Sequence, residues 1–260
     1  DLTPGDRDAP PFGRGDAGDL AVSPDGRTLY FVAVTDPVEA ISTNGDVYAV
    51  PIRGGEPRRL TSGPGWDGSP RPSPGGERLA WLSQPRAGFE ADRLHVMVAR
   101  ADGSGARDLT PASELSAHDL HWARKGRALR FTATVAGRSG LYEVDAASGR
   151  IEHLTRHEAG GRASSLSYAS DGMRAAAVLD SMTEPPEIGI LERRPEDSTL
   201  RFRRATSFAR DALAGVPRPE VRPLEATSPD GTRVPGWLVL PPGRRAGERL
   251  PAVVLIHGGP

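Results

Sequence analysis

The 260-residue chain contains no cysteine, so disulfides and thiolate-held metals are excluded and the redox compartment is left undetermined. Lysine is nearly absent as well: Lys125 stands alone among arginines. The 33 basic residues are balanced by 34 acidic ones, a net charge of −1, which gives no electrostatic reason to expect nucleic acid or an anionic membrane surface as partner. No apolar run approaches the ~20 residues that a membrane helix needs. The first residues, Asp1-Leu2-Thr3-Pro4-Gly5-Asp6, show no initiator Met and neither the basic nor the apolar region of a signal peptide. The expectation is that the true start lies elsewhere, with localisation undetermined and the cytoplasm as default.

Turn residues are plentiful where aromatics are few. Gly (31) and Pro (25) make up about a fifth of the chain, against 5% aromatic residues. That balance suits many short strands joined by tight turns and excludes a helical bundle.

One turn-plus-strand phrase recurs. It reads Ser23-Pro24-Asp25-Gly26 before Thr28–Phe31, Ser73-Pro74-Gly75-Gly76 before Arg78–Trp81, and Ala123-Arg124-Lys125-Gly126 before Ala128–Phe131. A weaker copy is Ala169-Ser170-Asp171-Gly172 before Arg174–Ala177. The starts lie 50, 50 and 46 residues apart. A second phrase keeps step: Leu-Thr closes a strand at Leu2-Thr3, Leu60-Thr61, Leu109-Thr110 and Leu154-Thr155, with Ala205-Thr206 as a degenerate copy. Strands are predicted between them over Asp46–Ile52, Arg93–Arg100 and Gly140–Val144. Each unit therefore reads as a four-stranded antiparallel meander. Its Gly supplies the φ > 0 of a tight turn, and Leu29/Phe31, Leu79/Trp81 and Leu129/Phe131 place large apolar groups on one face. Such sheets bury both faces only by stacking, which makes them β-propeller blades, about four of them.

Ser-Pro-Asp-Gly before an apolar strand resembles the blade repeat of the prolyl oligopeptidase-type propellers and of the TolB-like propellers. Ser181-Met182-Thr183-Glu184-Pro185-Pro186-Glu187-Ile188 is similar to a Ser-x-x-x-Pro-x-Glu-Ile/Val stretch in the last blade of acylaminoacyl-peptidase and dipeptidyl-peptidase-like enzymes.

The pattern changes after about Val216. Arg218–Pro223 reads as a linker, followed by a hairpin of Glu225–Ser228 and Val234–Leu240 about a Pro229-Asp230-Gly231 turn. Ala252–Ile256 is continuously apolar, as a central strand covered on both faces would be, and runs into His257-Gly258-Gly259-Pro260. In α/β-hydrolases the loop after this strand carries a His-Gly-Gly-type motif whose backbone N–H helps form the oxyanion hole. Glycine is needed there because a side chain would block close approach of the tetrahedral intermediate. The resemblance makes Gly259 the better oxyanion candidate and Gly258 the second. His257 precedes any nucleophile, whereas hydrolase triads run Ser, Asp, His, so its role is to brace the loop. No Gly-x-Ser-x-Gly elbow occurs; Gly137-Arg138-Ser139-Gly140 reads as a hairpin turn. His118 and His121, three apart, are not expected to share a face, and His95, His153 and His157 are scattered, so neither metal nor cofactor is expected.

The reading is thus mainly β, with residues 1–216 a partial β-propeller and 217–260 a linker and the first strands of a truncated α/β-hydrolase domain. The resemblance implies a serine peptidase acting on short peptides by acyl-enzyme chemistry, its triad absent from these residues and its propeller gating access. A peptide is the implied partner; homo-oligomerisation is left open. Full burial of Val253–Ile256 would contribute roughly 6–12 kcal/mol, comparable to a whole domain's ~5–15 kcal/mol, and nothing here covers them. The expectation is a chain cut at both ends, inactive and aggregation-prone alone. The rivals are a TolB-like protein-binding scaffold and a non-peptidase esterase.

Overall fold

The computed structural model describes residues 2–3, 8–11, 17–155, 161–169, 174–193, 200–245 and 247–256. Four successive antiparallel sheets of four strands dominate it. The first holds β1 (Leu20–Val22), β2 (Thr28–Val34), β3 (Gly45–Pro51) and β4 (Arg58–Arg59); the second β5 (Trp66–Pro72), β6 (Arg78–Gln84), β7 (His95–Arg100) and β8 (Arg107–Asp108). The third holds β9 (His118–Ala123), β10 (Ala128–Val135), β11 (Arg138–Asp145) and β12 (Ile151–His153); the fourth β13 (Gly161–Tyr168), β14 (Ala175–Ser181), β15 (Glu187–Arg193) and β16 (Leu200–Arg204). Each is a simple meander, as the repeats require. A short helix α1 (Phe208–Ala212) follows, then a separate hairpin of β17 (Glu220–Thr227) and β18 (Arg233–Leu240). By compactness the chain divides into Asp1–Ala133 with Tyr142–Glu152, and Thr134–Leu141 with His153–Pro260.

The first phrase does what its residues dictate. The Gly26 and Gly76 amides donate to the carbonyls of Ser23 and Ser73, both at 2.8 Å, and both glycines take positive φ (70° and 80°). The serine hydroxyls then accept from the first amide of the next strand, Thr28 at 2.9 Å and Arg78 at 3.1 Å. In the third copy Lys125 joins Gly126 at positive φ, which opens the next hairpin with no serine. Residues 170–173 of the fourth copy lie outside the described residues.

The second phrase proves to be a clasp. The Thr61 hydroxyl accepts from the Val47 amide (2.9 Å), Thr110 from Val96 (3.0 Å), Thr155 from Leu141 (3.1 Å) and Thr206 from Ile188 (2.9 Å). The residue before each threonine donates its own amide to the carbonyl of that same third-strand residue, at 2.7–2.8 Å. A fourth strand of two to five residues thereby holds the third through a side chain where its ladder ends. Ala205-Thr206 performs the same service as the Leu-Thr copies.

Both faces of the middle strands are apolar. Leu79 and Trp81 pack with Tyr30, Val32 and Val47 of the first sheet, while Ala80 and Leu82 pack with Leu129 and Phe131 of the third. Phe31 and Tyr48 stack on the far face of the first sheet at 5.6 Å, beside Leu2 and Ala9. Leu141 joins Ala175, Leu191 and Leu200. The predicted apolar face is therefore present, and its opposite is apolar too.

Polar groups lock the inner strands of the first unit. Arg71 donates to the carbonyls of Gly18 (2.6 Å) and Leu120 (3.1 Å), reaching into the segments on either side of its own sheet, and its carbonyl accepts from Trp122 Nε1 (2.7 Å). Asp19, buried, takes the Ser69 amide at 2.6 Å. Ser69, Asp119 and Ser165 all adopt positive φ at β-bulges, a kink that recurs with the repeat and has no glycine to announce it.

Beside the first clasp, two buried carboxylates share few donors. Asp46 receives Thr61 Oγ1 at 3.1 Å and Arg59 Nη2 at 2.5 Å; Asp67 receives Trp81 Nε1 at 2.9 Å together with the Ser83 and Thr61 hydroxyls. Burial pushes Asp46 up to about 6 against the opposing pull of Arg59, with the Asp67 charge adding to the rise. Between its ordinary 3.8 and about 6 the folded chain holds a proton that the unfolded chain has released, so this group makes stability fall as pH rises through that window. Urea unfolding at about pH 4.5 and about pH 7 checks it: relative to Asp46→Asn, the unaltered chain gains stability at the lower pH. A difference independent of pH would contradict the assignment.

Candidate functional site

The hairpin read as the entrance to the second domain forms in full, paired from Glu220↔Leu240 to Thr227↔Arg233. Glu220–Pro223, expected to be linker, begin its first strand. The Ser228-Pro229-Asp230-Gly231 turn repeats the blade turn, with the Gly231 amide on the Ser228 carbonyl at 2.9 Å. Trp237 fixes the hairpin to the β10–β11 turn: the Arg138 guanidinium lies 5.5 Å from its ring centre. A Cβ on Gly137 would come within 2.5 Å of the indole nitrogen, and φ there is +73°. The Gly137–Gly140 stretch is thus this turn and the start of β11, as expected, and not a nucleophile elbow.

Residues 251–256 form no strand, against the central strand expected over Ala252–Ile256. Val253, Val254, Leu255 and Ile256 are 80–92% exposed. A buried-type strand needs ladder partners on its edges and cover on its faces, and none lies beside it among the described residues. Gly258 and Gly259, the oxyanion candidates, and His257 lie outside the described residues.

The Ser181–Ile188 motif has a definite task. Ser181 and Glu184 close a turn, the Ser181 amide donating to the Glu184 carbonyl at 2.9 Å. The Glu184 carboxylate takes Arg204 on one oxygen and Arg218 on the other, each at 2.5 Å. Arg218 also donates to the Thr183 carbonyl. Glu187, buried, accepts from the Thr206 hydroxyl and from the Ala209 amide at 2.8 Å. These bonds hold its carboxyl below the ordinary value, hence ionised at neutral pH. Two carboxylates of the last blade therefore tether the connection that runs from β16 through α1 to the hairpin. The motif was visible in the sequence, but its role was not. The available signal was two glutamates flanking Pro185-Pro186 with arginines concentrated at 201–204 and 218.

The histidines correct one expectation. His118 pairs with Thr132 and His121 with Arg130, with a bulge between. Thr132 and Arg130 are two apart and share a face, so the extra residue brings both histidines onto it. Burial lowers the pKa of each, and at His121 the Arg71 and Arg130 charges add to the effect. Both are neutral at pH 7, yet no cluster of three or more metal-ligating side chains occurs among the described residues. On that third sheet the buried Arg130 guanidinium meets Glu143 at 3.0 Å. His95 Nδ1 lies 2.6 Å from Asp108, whose other oxygen takes the Thr110 amide at 2.7 Å. Acid, imidazole and hydroxyl are thus neighbours, but the Thr110 hydroxyl serves Val96 and Asp108. A relay would need it on the imidazole, so the trio belongs to the clasp.

No protein-family model matches the chain. It is similar to dipeptidyl-peptidase 5 of Porphyromonas gingivalis, 26% identical over 249 residues, covering 93% of this chain and 35% of that protein. It is also similar to dipeptidyl-peptidase 5 of Porphyromonas endodontalis, 26% identical over 256 residues, covering 97% and 36%. Among solved structures it resembles acylaminoacyl peptidase in complex with Z-Gly-Gly-Phe-chloromethyl ketone, with TM-score 0.63 and 15% identity over 87% of this chain and 33% of that one. The likeness is thus to dipeptidyl-peptidases in sequence and to an acylaminoacyl peptidase in fold. Its sheets also match TolB from Acinetobacter baumannii, with TM-score 0.55 and 15% identity over 85% of this chain and 51% of that one, a likeness of fold. The chain spans about a third of the length of the dipeptidyl-peptidases that it matches.

Loss of the Glu184 tether should loosen the connection without unfolding the blades. In Glu184→Ala, chymotrypsin cleavage after Phe208 and Leu213, in the tethered connection, is expected to accelerate about 3-fold or more, two partly exposed ion pairs being removed. Unchanged cleavage would remove the tether from this description.

Proposed function

We propose that this chain is the substrate-gating portion of a serine peptidase that cleaves short peptides by acyl-enzyme chemistry. In this reading residues 1–216 belong to the propeller, and 217–260 form the linker and entry strands of an α/β-hydrolase domain. The observation that carries it is the similarity over 97% of the chain to a dipeptidyl-peptidase. An alignment of that extent takes in most of 217–260, which a propeller scaffold alone would have no reason to match. The relatives' greater length leaves room for a nucleophile, base and orienter supplied from outside these residues.

The chemistry assigned to this chain is electrostatic. As a serine oxygen attacks the peptide carbonyl, charge builds on the carbonyl oxygen, and the Gly259 backbone N–H, or that of Gly258, would receive it. Such a donor acts most strongly in the transition state and raises kcat more than it lowers KM. Exposed Val253–Ile256 would become the covered strand that aims this loop. Trp237 and the Glu184–Glu187 tether would fix its direction relative to the last blade.

The test uses the protein that carries this chain, assayed on dipeptidyl p-nitroanilides with free and with acetylated N-termini. Turnover is expected, with inactivation by a fluorophosphonate. Gly259→Ala should lower kcat about 10²-fold with a smaller change in KM. Absence of both turnover and fluorophosphonate labelling would reject the peptidase reading in favour of a binding scaffold. Turnover confined to simple esters would favour an esterase.

A further inference from the structure

The seam between the first and second sheets carries groups that the repeat itself does not call for. The Ser23–Asp25 turn, the Gly75-Gly76 turn and the Ala101-Asp102 turn surround a cleft of about 640 Å³. Tyr30, Asp25 and Arg58 line it. Tyr30 is 4% exposed, its ring packed with Val32 and Leu79, and its hydroxyl has no hydrogen-bond partner among the described residues. Asp25 spends one oxygen on the Ser23 hydroxyl (2.6 Å) and the Arg27 amide (3.1 Å). Arg58 spends Nη1 on the Asp102 carbonyl at 2.7 Å. Neither forms a close ion pair among the described residues, though Arg27 acts on Asp25 and Arg58 on the Asp102 carboxylate, which also lines the cleft, so both signs of charge border it with hydrogen-bonding capacity to spare. Both act on the phenol: burial raises its pKa most, Asp25 raises it further and Arg58 opposes them.

The next seam is an internal control. One repeat later the equivalent positions are Gly75, Ala80 and Arg107. Arg107 is saturated, Nη1 on the Ala147 carbonyl at 2.7 Å and Nη2 on that of Ala146 at 2.6 Å. The opening on its Arg78–Ala146 side is about 260 Å³, and a second one of about 550 Å³ on its Leu109–Gly149 side is bordered by no tyrosine. Joining two blades therefore needs the arginine but neither the carboxylate nor the phenol.

We propose that the first seam is a binding site for a small zwitterion, an amino acid or short peptide with free termini. Its ammonium group meets Asp25, its carboxylate meets the free end of Arg58, and the Tyr30 hydroxyl bonds the carboxylate or a peptide group between them. A simple anion would face Asp25 and Asp102 and a simple cation Arg58, so a ligand that carries both charges is the one that the whole lining accommodates. The cleft lies within the range of small-molecule sites. This inference stands independently of the peptidase reading.

Ligand-detected NMR titration of the chain with Gly-Leu, Gly-Leu amide and N-acetyl-Gly-Leu tests it. Solvent-exposed charges bind weakly, so saturation by Gly-Leu is expected near a Kd of about 1 mM. Each capped form should bind about 5-fold more weakly or worse, as should Arg58→Gln and Asp25→Asn. Tyr30→Phe keeps the ring in the core and should weaken binding about 3-fold or more, with its thermal unfolding confirming the fold. Equal binding of free and capped peptides, unchanged binding in Arg58→Gln, or no saturation by about 10 mM would overturn the proposal.

Discussion

A four-stranded sheet with apolar side chains on both faces is stable only when each face is covered, and every other feature of the four meanders follows from that requirement. Leu79 and Trp81 look toward the first sheet and Ala80 and Leu82 toward the third, so the second sheet has no solvent side. Each large side chain so buried contributes roughly 1.5–3 kcal/mol, which no single sheet could gain alone. Directional bonds then set how neighbouring sheets meet: Arg58 on the turn at Asp102, Arg107 on that at Ala146-Ala147, and Arg71 between three inner segments. Within a blade, the threonine clasp ties the short last strand to the third.

The turns, strands and shared apolar face were legible because they depend on residues close together in the chain. Ser-Pro-Asp-Gly specifies a turn locally, and period-two alternation specifies a face. The clasp was legible as a recurring Leu-Thr but not as a hydrogen bond, since its partner lies 14 or 18 residues earlier. The bulges at Ser69, Asp119 and Ser165 left no such mark. None is glycine, and the strain is borne by contacts from other strands, which is why His118 and His121 were assigned to opposite faces. The run Ala252–Ile256 was read as a covered strand from its composition, yet covering it is a long-range matter. Among the described residues nothing does so, and the side chains face solvent.

The functional reading joins these levels. The likeness to dipeptidyl-peptidases extends across blades and hairpin together, and Glu184 and Glu187 tether the connection between them. An ionised, buried Glu187 costs desolvation that an apolar residue would avoid. Its return is directional: it holds the start of α1 and the Thr206 clasp at once. The Asp25 carboxylate and the Tyr30 phenol at the first seam are a different matter, because the neighbouring seam closes without their counterparts.

The dependence of the blades on mutual cover is tested most directly by amide hydrogen exchange of the whole chain, read by mass spectrometry. Amides of β6 and β10, whose strands carry buried side chains on both faces, should exchange last, and those of 250–256 first, with the β17–β18 hairpin between them. Exchange of β6 and β10 as fast as that of 250–256 would contradict the stacking of sheet on sheet that the fold rests on.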